Sequence, residues 1–288
     1  MAKILVTGAT GFIGNYVVQQ LLNNNCQVIA TSVSEAKARS FSWFSQIKYI
    51  PFSTDTFDNT IDYYKFFDSP DLIIHLAWKG LPNYKSLFHF EDNLPKQYNF
   101  LKNLLLNGAK DITVTGTCFE YGMKEGLLSE DIVTNPANAY AIAKDTLRKF
   151  IQELQKIHSF QFKWIRLFYT YGTGQNSNSL LSQLDKAIDS GDDVFNMSGG
   201  EQVRDYLPVE KVAEYIAHIA LQNKVTGIIN CCSSNPVSIK QFVEDYLDGK
   251  FLNIKLNLGY YPYTDYEPMA FWGDNKKLKT ILNNERSN

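Results

Sequence analysis

Short apolar runs alternate with longer amphipathic stretches along the first part of the chain, and the two periods predict strands and helices in turn. Ile4–Val6 is a first strand, followed by an amphipathic run from Tyr16 to Leu22. Gln27–Thr31 and Lys48–Phe52 are the second and third strands. Asp71–Ala77 carries the continuous apolar run that a strand buried on both faces requires, with His75 inside it as a core residue. Leu87–Asn107 reads as a long helix, bent or restarted at Pro95 and stopped at Gly108. Ile112–Val114 is a fifth strand and Trp164–Phe168 a sixth. Between them Ala139–His158 is a helix with apolar side chains at Ala143, Leu147, Phe150, Ile151 and Leu154. Strands alternating with helices imply parallel pairing through right-handed crossovers, so an α/β fold with a doubly wound parallel sheet is expected.

Beyond Tyr169 the pattern changes. Loops rich in Gly, Asn and Ser, at 172–179 and 198–200, separate shorter elements. Val209–Leu221 and Gly227–Cys232 are expected to return to the main sheet. The division expected is residues 1–170 with 206–233 in one domain, and 171–205 with 234–288 in a smaller C-terminal region. No internal repeat is visible.

The glycine spacing after the first strand adds chemistry. Gly8, Gly11 and Gly14 form G-x-x-G-x-x-G between that strand and the following helix, a relative of the dinucleotide fingerprint. Gly8 turns the chain off the strand, Gly11 lets a pyrophosphate approach the backbone, and Gly14 lets the helix pack close. The free N–H groups at the helix start then face phosphates. A Rossmann-type sheet follows from this context.

The end of the second strand bears on the cofactor. A site for NAD usually places Asp or Glu there, on the ribose 2′-hydroxyl. Here the residues are Thr31, Ser32, Val33 and Ser34, followed by Lys37 and Arg39. Hydroxyls and cations suit a 2′-phosphate and favour NADP, unless Lys37 and Arg39 belong to a solvated helix face. Asp55 lies at the carboxyl end of the third strand, where such sheets border the adenine.

Composition narrows the classes. Lys and Arg total 28 against 30 Asp and Glu, which gives no polyanion-binding signature and no expectation of nucleic acid. No apolar run approaches a membrane span, and the first strand begins at once, so no signal peptide is expected. Cys26, Cys118, Cys231 and Cys232 lack metal-ligand spacing and read as reduced cytoplasmic thiols, with no metal implied.

Tyr140 and Lys144 form Y-x-x-x-K on the expected helix, about one turn apart and on one face. A free tyrosine has a pKa near 10, and a lysine ammonium beside it favours the phenolate. Such a tyrosine can shuttle a proton at neutral pH. Thr117, at the carboxyl end of the fifth strand, can hydrogen-bond a substrate oxygen there, or be an ordinary turn residue.

Together these residues resemble the extended short-chain dehydrogenase/reductase superfamily, in particular its nucleotide-sugar epimerases, dehydratases and reductases. The resemblance spans nearly the whole chain. It also includes Asn93, Asn135-Pro136, the segment Arg166 to Gly172, and the segment Arg204 to Glu210, whose arginine meets the substrate pyrophosphate in the family. It implies cofactor contacts from Gly8, Gly11, Phe12, Ile13, Gly14, Ser32, Lys37, Arg39, Asp55, Ala77, Tyr140 and Lys144. Substrate contacts are implied from Thr117, Cys118, Phe119, Tyr169, Gln175 and Arg204.

The family's 4,6-dehydratases carry an Asp-Glu pair directly after the threonine. Cys118 and Phe119 stand there instead, which argues against dehydration. Glu120 is one position late and on the opposite face if the strand continues. What remains is hydride transfer at a ring carbon. The expected activity is NADPH-dependent reduction of the C4 ketone of a dTDP- or CDP-linked 4-keto-6-deoxyhexose. The segments Gly116 to Gly122 and Glu267 to Asp274 are similar to those of such reductases. The alternative is an NAD-dependent C4 epimerase of a UDP- or dTDP-hexose. A non-enzymatic cofactor sensor is a further alternative, against which Tyr140 and Lys144 speak. Members of the family dimerise through the two long helices, and Phe88, Phe90, Phe100, Leu101, Phe150 and Ile151 are the apolar surplus that suggests a homodimer here.

Overall fold

The computed structural model describes residues 2–286; Met1, Ser287 and Asn288, which the expected boundaries include, lie outside the described residues. The first half runs β1 (Lys3–Thr7), α1 (Phe12–Asn23), β2 (Gln27–Thr31), α2 (Glu35–Ala38), β3 (Lys48–Tyr49), α3 (Tyr63–Phe66), β4 (Leu72–His75) and α4 (Leu94–Leu106). It continues through β5 (Asp111–Thr117), β6 (Gly126–Leu128), α5 (Ala139–Ile157), β7 (Gln161–Leu167), β8 (Tyr169–Tyr171), α6 (Leu180–Asp189) and β9 (Val194–Asn196). The remainder is β10 (Val203–Pro208), α7 (Val209–Leu221), β11 (Gly227–Cys231), β12 (Pro236–Ser238), α8 (Ile239–Lys250), β13 (Lys255–Asn257), β14 (Phe271–Gly273) and α9 (Lys276–Arg286).

Seven strands form one parallel sheet in the order β11-β7-β5-β4-β1-β2-β3. This is the doubly wound Rossmann-type arrangement expected from the sequence. Alternate residues of β1 serve opposite faces. Ile4 and Val6 join the cluster under α1 and α7, with Val17, Leu21 and Ile216. Leu5 joins the cluster under α4 and α5, with Leu101, Leu104, Leu147 and Ile151. The strand reversal beside β1 opens the crevice above the carboxyl ends, where ligands of such sheets bind.

Three boundaries differ from expectation for local reasons. The regular part of β3 stops at Tyr49, but the N–H groups of Ile50 and Phe52 still donate to Ala30 O and Ser32 O at 3.0 and 3.1 Å. Pro51 between them has its nitrogen on the open edge, where no donor is needed, and Phe52 packs into the aromatic cluster with Tyr63 and Phe100. The expected helix from Leu87 begins as a single π turn, His89–Asn93. α4 then starts at Leu94 with Pro95 in its first turn, where a missing N–H is harmless. The fifth strand runs on to Thr117, because β7 pairs with it along its whole length.

The later elements build smaller sheets, β12-β10-β8, β13-β9 and β14-β6. Leu184, Phe195, Met197 and Val243 form a separate cluster beneath α6 and α8. α9 returns to the large sheet, placing Leu278 and Ile281 in its core. No helix among the described residues is long and apolar enough to cross a membrane. Of the residues expected at a dimer face, Phe100, Leu101 and Ile151 are buried against the sheet and are not available; Phe150 is exposed, together with Ile142 and Ile157.

Candidate functional site

The turn from β1 into α1 builds the first part of the site. Gly11 caps α1 without a side-chain hydrogen bond, and its first turn holds no acidic residue, so the helix N–H groups remain available for an anion. A Cβ on Gly14 would lie 2.2 Å from Gly8 O, so only glycine lets the helix approach the turn this closely. A cleft of about 330 Å³ runs from this turn past Ser32, Ser34 and Lys37 to Ala77 and Trp78 at the end of β4. His75 Nε2 and Gln97 Oε1, on its wall, are buried without hydrogen-bond partners. Uncapped amides, hydroxyls and unpaired polar atoms along one elongated crevice fit a dinucleotide. Among the described residues no cluster of His, Cys, Asp and Glu could hold a metal ion.

The residues expected to read the adenosine end divide. Ser32 Oγ is 2.8 Å from the Tyr49 hydroxyl, and Lys37 lines the cleft. Arg39 turns outward instead, paired with Glu35 and lying 4.9 Å over the Phe44 ring. The cationic pair expected at a 2′-phosphate is thereby reduced to Lys37. Asp55 is held by Lys79 and Lys96, whose ammonium groups keep its carboxyl well below the usual carboxylate range. Its neighbours Ser53 and Thr54 line the cleft. His75 is a core histidine: it meets Thr7 Oγ1 at 2.9 Å, and burial pushes its pKa down to about 3.

A second cavity of about 330 Å³ adjoins this cleft. The start of α1 contributes Phe12 and Ile13, the end of β5 contributes Thr117, Cys118 and Phe119, and α5 contributes Tyr140. Tyr169 and Gln175 close the far side. The Thr117 hydroxyl lies near enough to the Tyr140 phenol to favour its ionised form. Lys144 Nζ donates to Thr115 O at 2.8 Å and lies 4.1 Å over the Trp78 ring. Of the sequence-predicted trio, Thr117 and Tyr140 line this cavity, and Lys144 is buried between Thr115 O and the Trp78 ring. The electrostatics differ from expectation. In the chain by itself burial pushes the Tyr140 phenol well above its ordinary value and Lys144 down to about 7. Desolvation is the largest cause in both, outweighing the Thr117 hydroxyl at Tyr140 and the Glu120 carboxylate at Lys144.

Glu120 does not face this cavity. The chain turns after Thr117 into a 3₁₀ turn, and Glu120 folds back beneath β5. There it accepts from Trp164 Nε1 at 2.9 Å and Arg166 Nε at 2.8 Å. Burial pushes the Cys118 thiol far up, which disfavours the thiolate. Arg204 was expected at the pyrophosphate. It is fully buried, and its donors go to Glu267 at 2.9 Å, the Tyr169 hydroxyl at 3.2 Å, and the carbonyls of Val203 and Met269. Tyr84 and Trp78 line the two cavities, and Glu267 and His89 hold Arg204 and Trp78 from behind; none of the four was given a role from the sequence. Tyr84 stands edge-on to Phe119 at 5.2 Å, and its amide neighbour across the cavity is Tyr140, whose N–H donates to Tyr84 O at 3.0 Å. Trp78 carried a signal as the aromatic residue directly after Ala77 at a strand end, and Glu267 as the first residue of the segment Glu267 to Asp274.

Comparison with known proteins adds to this geometry. The model of the NAD dependent epimerase/dehydratase family matches residues 4–232. A dTDP-6-deoxy-L-talose 4-dehydrogenase (NAD(+)) of Aggregatibacter actinomycetemcomitans is 31% identical, covering 94% of this chain and 99% of its own. A GDP-6-deoxy-D-talose 4-dehydrogenase of the same organism is 26% identical, covering 98% and 92%. Among solved structures, the UDP-glucuronic acid 4-epimerase of Bacillus cereus, in complex with UDP-glucuronic acid and NAD, superposes with a TM-score of 0.84. It is 23% identical over 98% of this chain and 93% of that one, a likeness of fold.

Proposed function

The chain belongs to the NAD dependent epimerase/dehydratase family, and we propose that it catalyses NAD-dependent oxidation and reduction at C4 of a nucleotide-linked hexose. The observation that carries this is the pairing of Thr117 and Tyr140 on one cavity, with Lys144 buried one turn beyond Tyr140 on α5 and against Trp78, which lines the dinucleotide cleft. NAD, when bound, supplies the hydride acceptor and donor. Tyr140 takes the proton from O4 as the alcohol is oxidised and returns it on reduction. Thr117 hydrogen-bonds the same oxygen as charge develops on it. Lys144 holds the nicotinamide ribose and favours the phenolate of Tyr140. Gly8, Gly11, Phe12, Ile13 and Gly14 seat the diphosphate of the cofactor, and Ser32, Lys37, Asp55 and Ala77 border its adenosine half. Cys118, Phe119, Tyr169 and Gln175 shape the sugar cavity. In this reading residues 1–170 and 206–233 hold the cofactor, and 171–205 with 234–288 hold the nucleotide sugar.

NAD replaces the NADP expected from sequence. The outward turn of Arg39 and the NAD named for the 31% relative both support it. The same facts support the NAD-recycling alternative over a dedicated NADPH 4-ketoreductase. A 4-dehydrogenase and a 4-epimerase share the oxidative half-reaction, and differ in whether the ketone leaves or is reduced again on its other face. A 6-deoxyhexose is supported by both talose relatives and by the apolar wall of Leu81, Tyr84 and Phe119, which suits a methyl group. The four free cysteines support a reducing compartment, the cytoplasm.

The experiment is incubation with NAD and a panel of dTDP-6-deoxyhexoses and UDP-hexoses, followed by absorbance of reduced nicotinamide and by NMR of the sugar. Accumulating NADH with a 4-ketone marks the dehydrogenase. Inversion at C4 without NADH release marks the epimerase. Absence of both across the panel would remove the proposal.

A further inference from the structure

Lys144 lies one turn beyond Tyr140 on α5, and it is 2% exposed. An ammonium has three donors. Thr115 O takes one at 2.8 Å, and the face of Trp78 receives the charge at 4.1 Å. The indole is itself held. Its Nε1–H donates to His89 Nδ1 at 3.1 Å, and His89 Nε2 lies 3.1 Å from Asn83 O. Because Nδ1 accepts, Nε2 carries the proton and donates to that carbonyl, so the tautomer of His89 follows from its partners. His89 also packs edge-on to Tyr140 at 5.3 Å, and Trp78 at 6.0 Å.

The charged and titratable groups around Lys144 are few. Glu120, beneath β5, favours its ammonium form. His75 of β4 and His89 both have pKa values lowered first by burial and then by Lys144 itself, and they add no negative charge. Tyr140, one turn earlier on α5, is neutral in the chain by itself. Against desolvation, Lys144 therefore has one buried carboxylate, one carbonyl and one aromatic face. We propose that Trp78, fixed by His89, is a positioning residue that keeps Lys144 protonated and in place one turn from Tyr140. This rests on Lys144 being the lysine of the proposed reaction.

The sign follows from the chemistry. An aromatic face favours the ammonium form and so raises the lysine pKa. Catalysis that needs the ammonium is lost as pH rises through that pKa. Weakening the face lowers it and moves the alkaline limb of kcat to lower pH. A desolvated cation–π contact corresponds to a shift of about half to one and a half pH units.

The test is the pH profile of kcat at saturating NAD and an accepted sugar nucleotide, for the native chain, Trp78→Leu, Trp78→Phe and Lys144→Met, with NAD affinity measured by calorimetry. Trp78→Leu should move the alkaline limb down by that amount, and Trp78→Phe, which keeps a ring face, by less than half of it. Should Trp78→Leu fail to fold, uniform replacement of tryptophan by 5-fluorotryptophan weakens the face without changing its shape. It should shift the limb in the native chain and leave Trp78→Phe unmoved. A limb that stays in place in Trp78→Leu or in the fluorinated native protein overturns the inference, whatever happens to the rate. Lys144→Met retaining most of its turnover would instead overturn the reading of the site. An inactive Lys144→Met beside an unmoved limb overturns only the role of Trp78.

Discussion

The carboxylate of Glu120 accepts a hydrogen bond from the backbone N–H of Thr117 at 3.0 Å, while Thr117 Oγ1 accepts one from the N–H of Phe119 at 3.3 Å. The two residues hold each other: one end of this capping box faces the sugar cavity and the other lies in the core. Gly116 makes room for it, since a Cβ there would lie 2.3 Å from Glu120 Oε1. Glu120→Gln keeps an acceptor but leaves Arg166 as a buried cation without its carboxylate. Breaking such a pair costs on the order of 3 kcal/mol, and urea unfolding should show about that loss. A stability unchanged within about 0.5 kcal/mol would mean the network carries no weight.

Tyr140→Phe removes the acid and keeps the ring. Turnover should fall by roughly 10²–10⁴, with little change in sugar-nucleotide binding. Thr117→Ala removes one hydrogen bond to developing charge and should cost less, about 10–10³. Steady-state kinetics on one accepted substrate checks both. A Tyr140→Phe enzyme with more than about a tenth of native turnover would rule out the proton-shuttle role.

His75 should make the fold acid-sensitive. Its folded pKa of about 3 lies below the ordinary histidine value, so the unfolded chain takes up a proton first as pH falls. The stability it contributes is complete above that ordinary value and declines as pH drops toward the folded one. Between pH 7 and pH 5 the loss from this residue should be about 2 kcal/mol. Chemical unfolding at the two pH values should show the difference shrinking by about that amount in His75→Asn, while the carboxylates contribute equally to both proteins.

The cofactor assignment predicts tighter binding of NAD than of NADP by calorimetry. Arg39→Ala should change neither affinity by more than about twofold, because its guanidinium is engaged with Glu35 and Phe44 at the surface, where such contacts are weak. Ser32→Asp should strengthen the preference for NAD further, since a carboxylate repels a 2′-phosphate. A large loss of NADP affinity in Arg39→Ala would restore the cationic pair read from the sequence.

We propose a homodimer across the outer faces of α4 and α5. Phe150 and Ile157 remain 42% and 74% exposed there, and Tyr98 packs edge-on to Phe150 at 5.1 Å. Sedimentation at micromolar concentration should give a dimer for the native chain and a monomer for the double variant Phe150→Glu, Ile157→Glu. A native monomer would remove the proposal.

The sequence by itself determined the sheet and the places where chemistry enters it. Period and glycine spacing are local properties, and the strands of a sheet buried on both faces must be continuously apolar, so β1, β2, β4 and α5 were legible with little error in their ends. Thr117, Tyr140 and Lys144 could be singled out because their spacing on a strand end and a helix face carries a chemical meaning. What surrounds them was decided by tertiary structure. That Arg39 turns outward while Lys37 does not depends on Glu35 and Phe44, which no periodicity ranks. That Arg204 is enclosed by Glu267, 63 residues away in sequence, depends on two distant segments meeting. Phe100, Leu101 and Ile151 went to the core and Phe150 to the surface because a helix's rotation is set by the sheet it packs on. The protonation of Tyr140 and Lys144 turned on burial, and desolvation is a property of everything that excludes water from a site, which a linear sequence does not contain.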